Sequence, residues 1–222
     1  SDTTRIGKVN WSRTISKAEV ENSSFMLTRY VEGQDYNGDT QETLVKEGDM
    51  GKVHWTLNNK GVLTFSGTGP IIDFATWKED KDGIWIDEIF ERPWETGVTT
   101  RVNSIKIGSG ITSIGAYAFY QSPAMSVIIP DSVTSIGIRA FYGSSLISVS
   151  IPRGTIGYEA FRKCQDIKTL ELGEGVTSIG NNAFGGCSGI ATDLVTPFTI
   201  PASVETIGGG AFMSCGSIYR LE

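Results

Sequence analysis

Residues 114–119 read IGAYAF, and the frame returns as IGIRAF at 136–141, IGYEAF at 156–161, IGNNAF at 179–184 and IGGGAF at 207–212. Ile-Gly and Ala-Phe hold in all five, while the pair between them changes from Ala-Tyr to Ile-Arg, Tyr-Glu, Asn-Asn and Gly-Gly. The frame glycines fall at 115, 137, 157, 180 and 208, which gives spacings of 22, 20, 23 and 28 residues. A short fixed period of this kind marks a solenoid, in which each unit buries its apolar side against its neighbours.

Ahead of the frames stand VNSIKIG (102–108), MSVIIP (125–130), LISVSIP (146–152), IKTLELG (167–173) and PFTIP (197–201). Apolar residues two apart predict one short strand per coil, stacked into a parallel sheet. The pairs Ile105/Ile107, Val127/Ile129, Val149/Ile151, Leu170/Leu172 and Phe198/Ile200 are expected to point inward, and Ser104, Lys106, Ser148, Ser150 and Glu171 outward. Length varies between these positions: Pro152 to Ile156 is two residues shorter than its counterparts, and ATDLVTPFT (191–199) carries an insertion. Ile and Phe would fill the space between coils, and Ala would fit where coils crowd. Gly would allow either a special backbone conformation or a close approach. The variable pair is expected to face water.

The whole chain has 222 residues, Gly 27, 20% charged residues and a formal net charge of -6. That balance argues against a nucleic-acid binder, which needs concentrated Lys and Arg. Residues 101–222 carry 8 Lys+Arg and 8 Asp+Glu, leaving 11 and 17 of the totals of 19 and 25 for residues 1–100. No apolar run approaches the roughly 18 residues that would suggest a membrane span, and no export signal opens the chain, so it reads as soluble. The start SDTTR and the end RLE suggest a piece cut from a longer protein, in which a removed signal would leave no trace.

The stretch SVTSIGIRAFYGSSLISVSIP (132–152) closely resembles the BspA-type, or Treponema pallidum-type, leucine-rich repeats of bacterial surface proteins. GKVHWTLNNKGVLTFSGTGPIIDF (51–74), followed by RPWE (92–95), is similar to the segment that commonly precedes such arrays. The resemblance covers roughly residues 50–222. It implies a non-catalytic surface or secreted protein, with some relatives acting as adhesins toward host matrix proteins or other cells. It transfers no ligand.

VHWTLNNKGVLTFSG (53–67) predicts a hairpin turning at NNKG, whose Trp55, Leu57, Leu63 and Phe65 would cover the open end of the array. Trp77, Trp85 and Trp94 are read as cap and core, with an aromatic ligand platform as the alternative. In residues 1–49, SFMLTRYV (24–31) is strand-like and GQDYNGDTQ (33–41) turn-rich, which makes a β-rich segment of unknown type.

Catalytic and metal signatures are poor. His54 is the one histidine, and it lies in an alternating strand-like run. KEDKDG (78–83) starts like a calcium loop, but Ile89 stands where the bidentate Glu belongs. Asp35, Asn37 and Asp39 alternate in a turn-rich stretch that needs no metal. Asp87, Glu88, Glu91 and Glu95 supply carboxylates for glycoside hydrolysis, though a solvated acidic face explains them as well. The glycines of SGTGP (66–70) and IGSGI (107–111) complete no phosphate-binding pattern. Cys164, Cys187 and Cys215 each follow the frame Phe by three residues, in a slot that holds Ser122 and Ser144 in the first two coils. They read as free buried thiols rather than disulfides or a zinc site.

The expected fold is mainly β: a right-handed leucine-rich-repeat solenoid of about five coils over residues 101–222, an N-terminal cap over 50–100, and the segment 1–49. The expected function is non-catalytic recognition or adhesion at the cell surface or after secretion. The partner would be an extracellular protein or glycan, with no nucleic acid, no membrane insertion, no cofactor and no metal. Two other readings stay open, a stalk for a domain absent from this chain and a glycan hydrolase using the acidic N-terminal half. Tyr and Arg dominate binding hot spots. The expected site is therefore the edge formed by Tyr117, Tyr120, Arg139, Tyr142, Tyr158, Arg162 and Lys163, not the outward sheet face.

Overall fold

The structure is a computed structural model and describes residues 3–4, 15–16, 42–79, 85–190 and 198–216. These residues are strand and turn, with no helix among them. β1 (Thr3–Thr4) and β2 (Ile15–Ser16) pair antiparallel. β3 (Leu44–Met50), β4 (Val53–Asn58) and β5 (Val62–Gly67) form an antiparallel meander. β6 (Gly69–Ile71) follows, then β7 (Ala75–Glu79) and β8 (Trp85–Ile89), which make a separate antiparallel pair. The repeats supply β9 (Ser104–Ile107), β10 (Ile111–Ile114), β11 (Ser126–Ile128), β12 (Ser135–Ile136), β13 (Ser148–Ile156), β14 (Thr169–Ile179) and β15 (Thr206–Ile207). β3 to β6 and β9 to β15 belong to one 11-stranded sheet.

The turn at NNKG forms where the sequence places it. Asn58 Oδ1 accepts from the N–H groups of Lys60 and Val62, at 3.0 and 2.9 Å, and fixes the register Trp55↔Phe65 and Leu57↔Leu63. Those four side chains are buried. β5 then pairs in parallel with β9, Leu63 against Ile105 and Phe65 against Ile107, so the hairpin supplies the first rung of the array's own sheet.

The repeats stack through two parallel ladders, where the sequence reading expects one. The expected ladder runs β5-β9-β11-β13-β14 and aligns Ile105 with Val127 and Val149 with Leu170. The second is made by the Ser-Ile or Thr-Ile that ends at each frame Ile, just ahead of the frame glycine. It runs β6-β10-β12, continues through the C-terminal halves of β13 and β14, and ends at β15. Two residues per coil are too few to register as a strand pattern, and neighbouring coils supply the pairing. In the shortened third repeat, β13 runs through both ladders as one strand. The insertion at 191–197 lies outside the described residues.

Close approach, rather than backbone conformation, explains the frame glycines. None of the five has a positive φ. A Cβ at Gly137 would stand 2.6 Å from the Ala116 nitrogen, and one at Gly157 2.7 Å from the Ile136 oxygen. The left-handed positions fall elsewhere. The second residue of each variable pair takes positive φ: Tyr117 at 59°, Arg139 at 51°, Glu159 at 53°, Asn182 at 53° and Gly210 at 67°. Four residues further on, Gln121, Gly143, Lys163, Gly186 and Ser214 do the same. This zigzag alternates the backbone bonding. Tyr117, Phe119 and Gln121 donate to the next coil's Ile138, Ala140 and Tyr142, while Ala118 and Tyr120 donate within their own coil. Every donor in that turn finds an acceptor, which offsets the left-handed strain of about 1–2 kcal/mol per non-glycine residue.

Inside, the frame phenylalanines form one column. Phe119, Phe141, Phe161, Phe184 and Phe212 stack at centroid separations of 5.0, 4.9, 5.3 and 5.4 Å. The column meets a cluster of Trp94, Phe65, Phe74 and Trp55 at one end and Phe198 at the other. Beside it, Ser122, Ser144, Cys164, Cys187 and Cys215 are all buried and the thiols are free. Each thiol donates to the frame Phe carbonyl one coil back: Cys164 to Phe141 at 2.9 Å, Cys187 to Phe161 at 3.1 Å and Cys215 to Phe184 at 3.0 Å. The slot selects a small donor.

Phe161→Ala should cost about 3–5 kcal/mol in chemical unfolding, because rings on both sides lose their partner. Gly137→Ala should cost about 1–3 kcal/mol through forced coil separation, whereas Ser214→Gly, at an exposed left-handed position, should stabilise by up to about 1 kcal/mol as the strain is relieved. A thiol reagent should modify Cys164 and Cys187 only after denaturant is added, as mass spectrometry would record.

Candidate functional edge

The expected edge residues do come together, but in an arrangement the sequence does not foretell. Tyr120 and Tyr142 stack at 5.3 Å with planes 16° apart, and Tyr117 lies 5.2 Å from Tyr120. The Arg139 guanidinium sits over three rings, 5.7 Å from Tyr117, 5.9 Å from Tyr142 and 5.7 Å from Tyr158. Lys163 Nζ lies 5.5 Å from the Tyr142 ring. Coil stacking at about 4.8 Å produces this ladder from side chains about twenty residues apart in sequence.

Two acids outside the expected set organise it. Asp87 on β8 accepts from both the Tyr117 hydroxyl and Arg139 Nη1. Glu159 accepts from Arg139 Nε at 2.6 Å through one oxygen and from Arg162 Nη1 through the other. Ala116 is buried too, at 4%, and the expectation that the variable pair faces water is further corrected at Tyr117 and Glu159, which are 0% and 1% exposed. What stands opposite buries each of them: Asp87 on β8 bonds the Tyr117 hydroxyl, and Arg139 and Arg162 close over Glu159. At the other coils the pair stays half-buried or exposed. No local signal in the sequence connects Asp87 to Arg139, 52 residues away.

Burial raises the Tyr117 phenol pKa, and the hydrogen bond to Asp87 raises it further. Burial would also raise Glu159, but hydrogen bonds from Arg139, then Arg162, then Tyr158, outweigh it and hold the carboxyl below its usual range. Tyr117, Arg139 and Arg162 are thus each engaged by a carboxylate, with Tyr117 buried and the two arginines half-buried. Tyr158 is 41% exposed, Lys163 is exposed, and Tyr120 and Tyr142 are half-buried. These four present the surface.

The other candidates resolve as follows. His54 pairs across the β3–β4 hairpin with Asp49, Nδ1 to Oδ1 at 2.8 Å, and Glu47 lies 3.5 Å from its other nitrogen. Glu95 is held by Arg92 at 2.6 Å. Trp94 is buried in the core cluster and offers no platform. The side chains of Trp77 and Trp85 lie outside the described residues, as do Asp35, Asn37, Asp39, Asp80 and Asp82. Among the described residues no group of three His, Cys, Asp or Glu side chains could hold a metal ion. No helix among them is long and apolar enough to cross a membrane.

Glu159→Ala should destabilise the protein by about 3 kcal/mol. That is the low end for breaking a buried pair, because the two guanidinium side chains keep 27% and 32% exposure. Since the folded Glu159 pKa is lowered, its stabilising contribution is full above the ordinary carboxylate value of about 4.3 and is lost as pH falls through the lowered one. Glu159→Gln should flatten the acid limb of a stability-versus-pH curve.

Comparison with known proteins places the architecture. A family model described as BspA type leucine rich repeat region matches residues 98–219 in 6 copies. Among solved structures, the pneumococcal vaccine antigen PcpA aligns with a TM-score of 0.51 and 21% identity, over 79% of this chain and 49% of that one. A leucine-rich repeat protein from Eubacterium ventriosum gives 0.41 and 18%, over 78% and 64%. A leucine rich cell surface protein from Faecalibacterium prausnitzii gives 0.40 and 22%, over 80% and 54%. The chain spans about half the length of PcpA, and at such identity the likeness is one of fold. No curated protein matches the chain in sequence.

Proposed function

Because the chain belongs to the BspA-type leucine-rich repeat family, we propose that it is a non-catalytic recognition module, displayed at a bacterial surface or secreted, that binds an extracellular protein or glycan. Right-handed winding of about five coils, with residues 50–100 as its cap, is part of the same proposal. The observation that carries it is the rigid stack of Tyr120 and Tyr142 beside exposed Tyr158 and Lys163. Tyrosines held by stacking lose little side-chain entropy on binding, and they offer both an apolar face and a hydroxyl. The outward sheet row, by contrast, is largely Ser and Thr.

The non-catalytic reading is supported by the occupation of the best placed acids: Asp87, Glu159 and Glu95 are each bound to an arginine. The test is a binding screen of the chain against immobilised matrix proteins and glycans. For a ligand so found, Tyr142→Ala, Tyr158→Ala and Lys163→Ala should each weaken binding by more than about 1 kcal/mol at an unchanged melting temperature. Normal binding by all three, with loss at Ser148→Trp or Ser150→Trp, would move the site to the sheet face.

A further inference from the structure

On the outward face of the first ladder, four coils present aligned rows. Ser104, Ser126, Ser148 and Thr169 form one, and Lys106, Ile128, Ser150 and Glu171 lie two residues further along the same strands. Where the strands begin, Asn103, Met125, Ile147 and Lys168 are aligned by N–H donation from each residue to the carbonyl one coil back, at 2.8 to 2.9 Å. A sheet face turned to water is expected to be polar. Ile128 is nevertheless 60% exposed, the most of any large apolar side chain described, and Met125 and Ile147 are 50% and 44% exposed. One such side chain is ordinary, whereas three on two adjacent coils suit a surface that meets another protein.

Charge selects the occupant. Lys106, Lys168 and Glu171 are the charged residues of these rows; all three are exposed, and none enters an ion pair among the described residues. Lys106 stands on the first of the four coils and Glu171 on the last, in one row. Two copies laid face to face about a two-fold axis parallel to the strands, between the second and third coils, set each first coil against the partner's fourth. Both copies of Lys106 then oppose a Glu171, and Lys168 opposes the neutral Asn103. Met125 opposes Ile147, and Ile128 enters the space above Ser150. A two-fold along the array would instead set Lys106 against itself. The Ser and Thr side chains between are small enough for sheets to pack at about 10 Å. This self-complementarity is what an isologous interface requires.

We propose that the outward face of β9, β11, β13 and β14 is a homodimer surface, in which reciprocal Lys106–Glu171 pairs flank Ile128, Met125 and Ile147. Four short strands about 4.8 Å apart give a face smaller than the roughly 800 Å² per partner of a standard interface, so the dimer is a weak one. The tyrosine edge takes no part in it.

Sedimentation equilibrium of the full chain, up to about 1 mM, should show monomer and dimer in exchange. Ile128→Ser, Lys106→Glu and Glu171→Lys should each raise the dimer Kd at least tenfold. All three positions are exposed, so the dilute variants should melt as the parent does. Mixing Lys106→Glu with Glu171→Lys restores both reciprocal pairs, and a mixed dimer should form from two proteins that associate poorly alone. Tyr142→Ala should dimerise as the parent does. The assignment is overturned if the chain stays monomeric, which would leave the face to a different partner or to solvent. It is overturned equally if Ile128→Ser and both charge variants dimerise normally, or if the mixture fails to associate. Loss of the dimer in Tyr142→Ala, with Ile128→Ser unaffected, would move self-association to the tyrosine edge and also overturn it.

Discussion

The distance between coils is the constraint on which the rest of this structure depends. Frame glycines leave no room for a side chain between successive backbones, and the phenylalanine column repeats at 4.9 to 5.4 Å. Ring stacking, two strand ladders and the alternating turn bonds all require that one spacing. A side chain at a frame glycine would push the coils apart and weaken all three together. For the same reason the small-donor slot takes serine or cysteine, since a larger residue beside the column would displace it.

The same spacing creates the tyrosine edge. Side chains at one frame position lie one coil apart, so the tyrosines of adjacent coils stack and one arginine reaches three of them. An arginine held among aromatic rings and half removed from water needs counter-charge. Asp87 from the β7–β8 pair and Glu159 from the next coil provide it. Those bonds tie β8 to the array and rigidify the edge. They also engage Arg139 and Arg162, while Tyr158 and Lys163 stay exposed beside them.

The scaffold was legible in the sequence because its requirements repeat. The fixed Ile, Gly, Ala and Phe, the inward strand pairs and the cysteine slot each follow from packing one coil on a like coil, and a periodic cause leaves a periodic trace. Membership of the edge was legible for the same reason. What each edge residue does was not. Tyr117, Arg139 and Glu159 share one left-handed backbone position, yet Tyr117 and Glu159 are buried and Arg139 is half-buried. The difference arises from what stands opposite: β8 for Tyr117, and two arginines for Glu159.

By itself, then, the sequence determined the repeat, the family it belongs to, the inward positions and the row of residues from which a binding surface could be drawn. Only the tertiary structure decided that the frame glycine answers to a close approach instead of a positive φ, and that two-residue segments join into a second ladder. It also decided that Asp87 closes onto Arg139 from 52 residues away. The division has a physical cause. Contacts between like coils are imposed by translation along the array and recur in the sequence, whereas the contact between β8 and the array happens once and leaves nothing to recur.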